Sequence, residues 1–318
     1  MSRYLVTGCA GFIGSHLSLA LLNAGDEVVG VDRISPYYDV RVKHDNISRL
    51  EKNSGFQFIE TELTLVGEND LRGYDGIFHL AGQAGVRASW GDQFATYLND
   101  NVLSSQFLFE HTDSDCPIVW ASSSSVYGDS MEFPLLETMN CEPISPYGIT
   151  KLCVENLSSA YTKQKNQRIS GLRYFTVFGP GQRPDMAFTK ICKSLFLQEP
   201  FHVYGDGRQI RDFTFVDDVV GATIDVMKKG SSGLYNIAGG AQTSLLEAIH
   251  LFERVSGRKL DVRFEAKQSG DVLVTSASTD KIRSEVGWEP KTDLIDGMRS
   301  QWKWAEEYFG GDATLGTK

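Results

Sequence analysis

The sequence predicts an α/β chain built on a parallel, doubly wound sheet. Three observations carry this. Short β-prone runs alternate with helix-period stretches through the first 165 residues, and such alternation folds as strand–helix–strand units with parallel strands. A glycine-rich turn joins the first run to the first helix, and an acid closes the second run. Polar stretches follow the fourth and fifth runs, where an open α/β sheet places its ligands.

Tyr4-Leu5-Val6-Thr7 is the first strand. Gly8, Gly11 and Gly14 follow in GxxGxxG spacing, then a helical pattern through Leu17, Leu21 and Ala24 that stops at Gly25. Strand, glycine turn and helix present backbone N–H groups and a helix N-terminus to a pyrophosphate. The second strand, Glu27-Val28-Val29-Gly30-Val31, ends at Asp32, roughly the 20 residues beyond the glycines at which an acid bonds a dinucleotide ribose. The Asp32 charge opposes a 2′-phosphate, so NAD is expected over NADP, with Arg33 of opposite sign beside it. Phe56-Gln57-Phe58-Ile59 is the third strand, Gly76-Ile77-Phe78-His79-Leu80 the fourth and Cys116-Pro117-Ile118-Val119-Trp120 the fifth. Helices are expected near 93–111 and 146–165. The stretches Ala81 to Arg87 and Ser122 to Ser125, after the fourth and fifth strands, are candidate ligand loops.

A chain of 318 residues with 41% hydrophobic content can bury the core of one large or two modest domains. Its net charge of -10 argues against a general nucleic-acid or anionic-membrane surface, while leaving room for a local basic pocket. The five cysteines are odd in number, scattered and free of any CxxC pair. A reduced cytoplasmic protein without a metal site is the expectation. The N-terminus shows no basic-then-apolar leader, and no apolar run is long enough to span a bilayer, so a soluble, unexported chain is expected.

Tyr147 and Lys151 stand four apart and project from one face of a helix. A free phenol ionises near pH 10, and a nearby cation favours the phenolate. The pair is a candidate proton shuttle, with the Ser123 hydroxyl at a strand end as a candidate partner for the same substrate oxygen.

Thr7-Gly8-Cys9-Ala10-Gly11-Phe12-Ile13-Gly14, Ser123 followed by Val126-Tyr127-Gly128, and the Tyr147/Lys151 pair resemble the extended short-chain dehydrogenase/reductase family, in its nucleotide-sugar epimerase and dehydratase branch. Arg173-Tyr174-Phe175, Arg211-Asp212-Phe213, Val216 to Val219, Tyr235-Asn236-Ile237 and Gly287-Trp288-Glu289-Pro290 extend the resemblance over nearly the whole chain. It implies a Rossmann domain over 1–176, rejoined by the chain at roughly 212–238, and a smaller α/β nucleotide-sugar domain over 177–318. It further implies NAD held by Gly8, Gly11, Phe12, Ile13, Gly14, Asp32, Glu62, Leu63, Leu80, Ala81, Gln83, Asn101, Tyr147, Lys151 and Tyr174. Glu62 stands where the family has an aspartate near adenine, and Gly82 where it has alanine. A homodimer is implied as well.

Pro36-Tyr37-Tyr38-Asp39, Gln83 to Arg87, Ser122 to Tyr127, Phe175 to Gly179 and Arg183-Pro184-Asp185-Met186 are similar to the UDP-glucuronate 4-epimerases. That similarity implies Arg183, with Ser123, Ser124 and Ser125, around a sugar carboxylate, a task suited to a forked guanidinium. Thr176 joins the implied sugar contacts. Arg87 and Arg211 suit the diphosphate, Tyr204 the uracil, and Asp271 the ribose or diphosphate. Tyr147 would take the C4 hydroxyl proton while the C4 hydrogen passes to NAD as hydride and returns on the other face of the turned 4-keto sugar. Decarboxylation to UDP-xylose, 4-epimerisation of a neutral or N-acetylated UDP-sugar, and a non-catalytic NAD-binding sensor are the alternatives. Ser125 stands where decarboxylases carry an acid, and Ser124-Ser125 where 4,6-dehydratases carry Asp-Glu. Trp302, Trp304 and Tyr308 are spaced for packing on one helix face.

Overall fold

A computed structural model describes residues 1–266 and 272–311 of the chain. Its largest element is a seven-stranded sheet. The strands are β1 (Arg3–Thr7), β2 (Glu27–Asp32), β3 (Phe56–Glu60), β4 (Gly76–His79), β5 (Ile118–Ser123), β6 (Ile169–Tyr174) and, far along the chain, β10 (Gly233–Ile237). They run parallel in the order β10-β6-β5-β4-β1-β2-β3. The order reverses between β1 and β4, the switch point at which an open sheet of this kind places its ligand crevice.

Helices cover both faces: α1 (Phe12–Asn23), α2 (Val40–Leu50), α3 (Phe94–Tyr97), α4 (Ser104–His111), α5 (Pro146–Lys165) and α7 (Val216–Lys229). Successive strand residues point to opposite faces. Leu5, Val29, Val31, Ile77, Ile118, Trp120 and Ile169 pack on the side of Leu108, Phe109 and Val154. Their neighbours Val6, Val28, Phe78, Val119 and Leu172 pack on the side of Leu17, Leu21, Val219 and Val226. Burial on both faces explains the near-continuous apolar runs of these strands.

The remaining elements form a smaller α/β unit. Strands β7 (Val177–Phe178), β9 (Ile210–Phe215) and β11 (Ala241–Ser244) make one sheet, and β8 (Phe201–Tyr204) pairs with β12 (Val262–Glu265). Helices α6 (Ala187–Leu197), α8 (Leu245–Ser256) and α10 (Leu294–Gly310) cover them, and α9 (Asp280–Val286) lies beside β10. Phe188 stacks on Phe213 at 4.3 Å and meets Phe252 edge-on at 4.9 Å, which centres this second core. Trp302 is buried, and Trp304 stacks on Tyr308 at 5.0 Å.

Two boundaries differ from the sequence reading. Strand β5 starts at Ile118, because Pro117 has no N–H for the ladder. It then pairs with β6 as far as Ser123, so Ser122 and Ser123 are strand residues rather than loop. The helical stretch near 93–111 is interrupted by a six-residue π-helical segment, Leu98–Leu103, between α3 and α4. Among the described residues, no helix is long and apolar enough to cross a membrane.

Candidate active site

The loops after β1 and β4 meet backbone to backbone. Gly8 adopts φ +75°, and a Cβ there would lie 2.6 Å from the Ala81 nitrogen; a Cβ on Gly14 would lie 2.1 Å from the Gly8 oxygen. Only glycine allows this approach. Among the described residues no side chain caps α1, and its first turn carries no acid. Its N–H groups and positive dipole end are thus available to a pyrophosphate. Asp32 accepts from the Ala10 N–H (3.2 Å) and the Ile34 N–H (2.9 Å). The second bond holds Ile34 at φ +51°, a strained conformation for a β-branched residue. This cradle fits an NAD: a cavity of about 630 Å³ is lined at this end by Gly8, Gly11, Phe12, Ile13, Gly14 and Asp32.

A buried relay stiffens the crevice. The Ala81 N–H donates to Thr7 Oγ1 (3.2 Å), Thr7 Oγ1 meets His79 Nδ1 (2.8 Å), His79 Nε2 meets Ser105 Oγ (2.9 Å), and Ser105 donates to the Asn101 carbonyl (2.5 Å). Since the Ser105 proton is committed, the chain assigns the Nε2–H tautomer, with Nδ1 accepting from Thr7. Burial holds the His79 pKa down to about 3. Because the folded value lies below the unfolded one, the contribution is full above pH 6.5 and is lost as pH falls toward 3. At pH 5 that loss is about 2 kcal/mol. In urea unfolding, the stability advantage of the parent over His79→Gln should shrink by that amount between pH 7.5 and pH 5. An unchanged advantage would show that His79 does not titrate this way.

The catalytic candidates come from the start of α5 and the end of β5. Ser145 caps α5 by accepting from the Gly148 N–H (3.1 Å), and Pro146 occupies its first turn. That fixes Tyr147 one residue into the helix. A Cβ on Gly148 would lie 2.5 Å from the Ser125 oxygen, so the glycine lets the helix start press on the serine segment. The Ser123 hydroxyl, which donates to Ser125 Oγ at 3.1 Å, is thereby brought close enough to the Tyr147 phenol to pull its pKa down. Lys151 is buried, donates to the Ala121 carbonyl at 2.9 Å, and sits 6.0 Å from the Tyr147 ring centre. Burial lowers its pKa to about 8.

In the free chain, burial raises the Tyr147 pKa, while the Ser123 bond and the Arg183 charge pull it down by less. The sequence reading assigned that pull to Lys151; in the fold it comes from Ser123 and Arg183. The Arg183 Nε and Nη2 donate to Asp185 at 2.9 and 3.0 Å. Burial opposes the Arg183 charge, but the Asp185 bonds prevail and raise its pKa.

The same cavity also gathers Glu62, Leu63, Leu80, Ala81, Gln83, Ser124, Ser125, Tyr174, Thr176 and Arg211 of the expected residues. Three expected residues stand off its wall. Asn101, in the π-helical segment, accepts from the Gln83 N–H (2.8 Å) and donates to the Gln83 carbonyl (3.1 Å) and Thr150 (3.0 Å). It therefore ties the ligand loop to α5. A Cβ on Gly82 would lie 2.8 Å from Asn101 Oδ1, which accounts for glycine at that position. The Arg87 guanidinium stacks over the Tyr204 ring at 5.1 Å, joining the two units. Asp271 lies outside the described residues.

Several neighbours escaped the sequence reading. Tyr97 donates toward the Ala84 (2.9 Å) and Gly85 (2.7 Å) carbonyls and packs 6.2 Å from the Tyr147 ring. Glu155 accepts from Ser122 (2.7 Å) and from Arg173 through Nε (2.9 Å) and Nη2 (2.7 Å), all buried. Glu155 lies four residues beyond Lys151 on one helix face, so the spacing argument that found Lys151 also reaches it.

Known proteins share this fold. The model of the NAD dependent epimerase/dehydratase family matches residues 4–238. The UDP-glucuronate 4-epimerase of Thermodesulfobacterium geofontis is 34% identical over 315 residues, covering 96% of this chain and 97% of its own. The uncharacterized UDP-glucose epimerase YtcB of Bacillus subtilis is 38% identical over 316 residues, 98% of this chain and 100% of that one. The crystal structure of UDP-glucuronic acid 4-epimerase from Bacillus cereus with UDP-glucuronic acid and NAD superposes with a TM-score of 0.91 at 36% identity, covering 96% and 99% of the two chains. With a family model matching residues 4–238 and relatives more than 30% identical over nearly the whole chain, the chain belongs to the NAD-dependent epimerase/dehydratase family.

Proposed function

We propose that the protein is an NAD-dependent UDP-glucuronate 4-epimerase, interconverting UDP-glucuronate and UDP-galacturonate without loss of CO2. The observation that carries the sugar assignment is Arg183, a guanidinium lining the same cavity as Tyr147 and the hydroxyls of Ser123, Ser124 and Ser125. Relatives named for that activity support it.

Bound NAD supplies a hydride acceptor, a hydride donor and a positive ring. Tyr147 accepts the C4 hydroxyl proton and gives it back on the other face. Ser123 bonds the same oxygen and keeps the phenol turned toward it. Lys151 contributes a buried cation beside both. A 4-keto uronate is a β-keto acid and loses CO2 when its carboxylate bond stands perpendicular to the ketone plane. Arg183 and the three serines hold that bond away from the perpendicular. Thr176 adds a sugar contact; Arg87 and Arg211 take the diphosphate, Tyr204 the base, and Asp271 the ribose or diphosphate. Residues 1–176 with the return at 212–238 hold the cofactor, and 177–318 the nucleotide sugar. Pairing into a homodimer through the 93–111 and 146–165 helices, and a cytoplasmic location, belong to the same reading.

A 4-epimerase of a neutral UDP-hexose is the second reading, favoured by the two-bond grip of Asp185 on Arg183, which already neutralises the cation. Incubation with UDP-glucuronate separates the possibilities. The proposal expects an isomer of unchanged mass. Loss of CO2 would make the chain a decarboxylase, and turnover of UDP-glucose alone would establish the second reading.

A further inference from the structure

The adenosine end of the cavity holds more charge than one ribose-binding acid requires. Asp32, Arg33, Ser35, Lys43, Glu62 and Asp100 all line it. Arg33 follows Asp32 directly, where a guanidinium can reach a 2′-phosphate. In this chain it is turned elsewhere: Nη1 donates to Glu62 at 3.1 Å and Nη2 to Asp100 at 2.6 Å. Asp100 is the better buried of the two, with its side chain 15% exposed against 52% for Glu62. Burial pushes the Asp100 carboxyl up, and the Arg33 charge is the strongest influence pulling it back. The second cation, Lys43, is buried and donates to the Ser35 carbonyl (2.9 Å) and hydroxyl (3.0 Å). Both cations beside the ribose position are therefore committed to protein oxygens.

We propose that Glu62 and Asp100 are cofactor-specificity residues, which exclude NADP by holding Arg33 away from the 2′ position. Asp32 opposes a 2′-phosphate with its own charge. The carboxylate pair removes the one cation in that segment able to offset it. Three acids against two bases leave the pocket net negative before a phosphate of charge near −2 arrives. The strained turn at Ile34, held by Asp32, fixes the direction in which the Arg33 side chain leaves the backbone. Asp100 projects from the π-helical segment Leu98–Leu103, and a wider turn displaces the following side chains from their α-helical positions. The inference concerns the cofactor alone and is independent of which sugar the cavity accepts.

The test is a competition. Full-length protein, freed of dinucleotide on charcoal, is equilibrated with equal concentrations of NAD⁺ and NADP⁺, and the bound nucleotides are released by denaturation and separated. The parent should retain NAD almost alone. Glu62→Gln/Asp100→Asn should raise the bound NADP-to-NAD ratio about tenfold or more, the effect of one released guanidinium charge at this range. Asp100→Asn alone, which leaves Glu62 at the adenine end, should move the ratio the same way by less. Adding Arg33→Leu to the double variant should cancel most of the gain, leaving only the part due to the lost negative charge. An unchanged ratio in the double variant would overturn the proposal, as would a gain just as large without Arg33. Using a ratio removes any loss of affinity common to the two nucleotides.

Discussion

Replacing Tyr147 by Phe is expected to lower kcat on UDP-glucuronate by about 10³-fold while NAD stays bound. The phenylalanine ring keeps the packing against Tyr97 and removes only the atom that exchanges the proton. The size of the loss follows from the position of the group. Ser123 and Arg183 favour the phenolate, while burial holds its pKa above the ordinary value, so it is poised to respond to charge brought into the cavity. Ser123→Ala should cost less, because it removes one of two influences that favour the phenolate and leaves the base in place. A Tyr147→Phe variant that turns over at the parental rate would remove the proton assignment altogether. Dinucleotide content, read from absorbance after denaturation, distinguishes a chemical defect from loss of cofactor.

The second large effect is expected at Arg183. Arg183→Leu should reduce kcat/KM for UDP-glucuronate by 10²- to 10³-fold, on the order of the 2–4 kcal/mol lost when one partner of a desolvated charge pair is removed. For UDP-glucose, which has no carboxylate, the reduction should be several-fold at most, through the weaker hold on the Tyr147 phenolate. Equal reductions for both sugars would place Arg183 on the diphosphate or on Tyr147 alone and favour the neutral-sugar reading. Asp185 bears on the outcome. Its carboxylate occupies Nε and one face of Nη2, so a substrate carboxylate meets the remaining Nη edge. The guanidinium is thereby oriented before the sugar arrives.

The first half of the large sheet was legible because glycines and alternating apolar runs punctuate it. Gly8, Gly11 and Gly14 stand close together in sequence, Asp32 follows at the end of the next strand, and all four line one wall of the cavity. Strands β6 and β10 gave no such signal. Ile169-Ser170-Gly171-Leu172-Arg173-Tyr174 is buried throughout, yet it contains a serine, a glycine and an arginine, and Arg173 is acceptable there only because Glu155 and Tyr127 meet it. Pairing across 18 residues of chain leaves no trace in local periodicity. The same reason explains Ser122 and Ser123, which look like loop and are drawn into β5 by Arg173 and Tyr174 opposite them. The Tyr147/Lys151 spacing placed both residues correctly on α5, whereas the ranking of charges around the phenol required the tertiary position of Arg183. Asn101 was expected at the cofactor; its side chain instead ties Gln83 to Thr150, a geometry created by the π-helical turn that periodicity alone does not reveal.

The claim on which the chemistry rests is that one hydrogen leaves C4 and returns to C4 within a single site, with Tyr147 handling only the proton. UDP-glucuronate carrying deuterium at C4 tests it directly, with product analysed by mass and NMR. The account predicts UDP-galacturonate that keeps its deuterium at C4, keeps its carboxylate and gains none of the solvent's hydrogen there. Deuterium exchanged into water, or a product lighter by the mass of CO2, would contradict it.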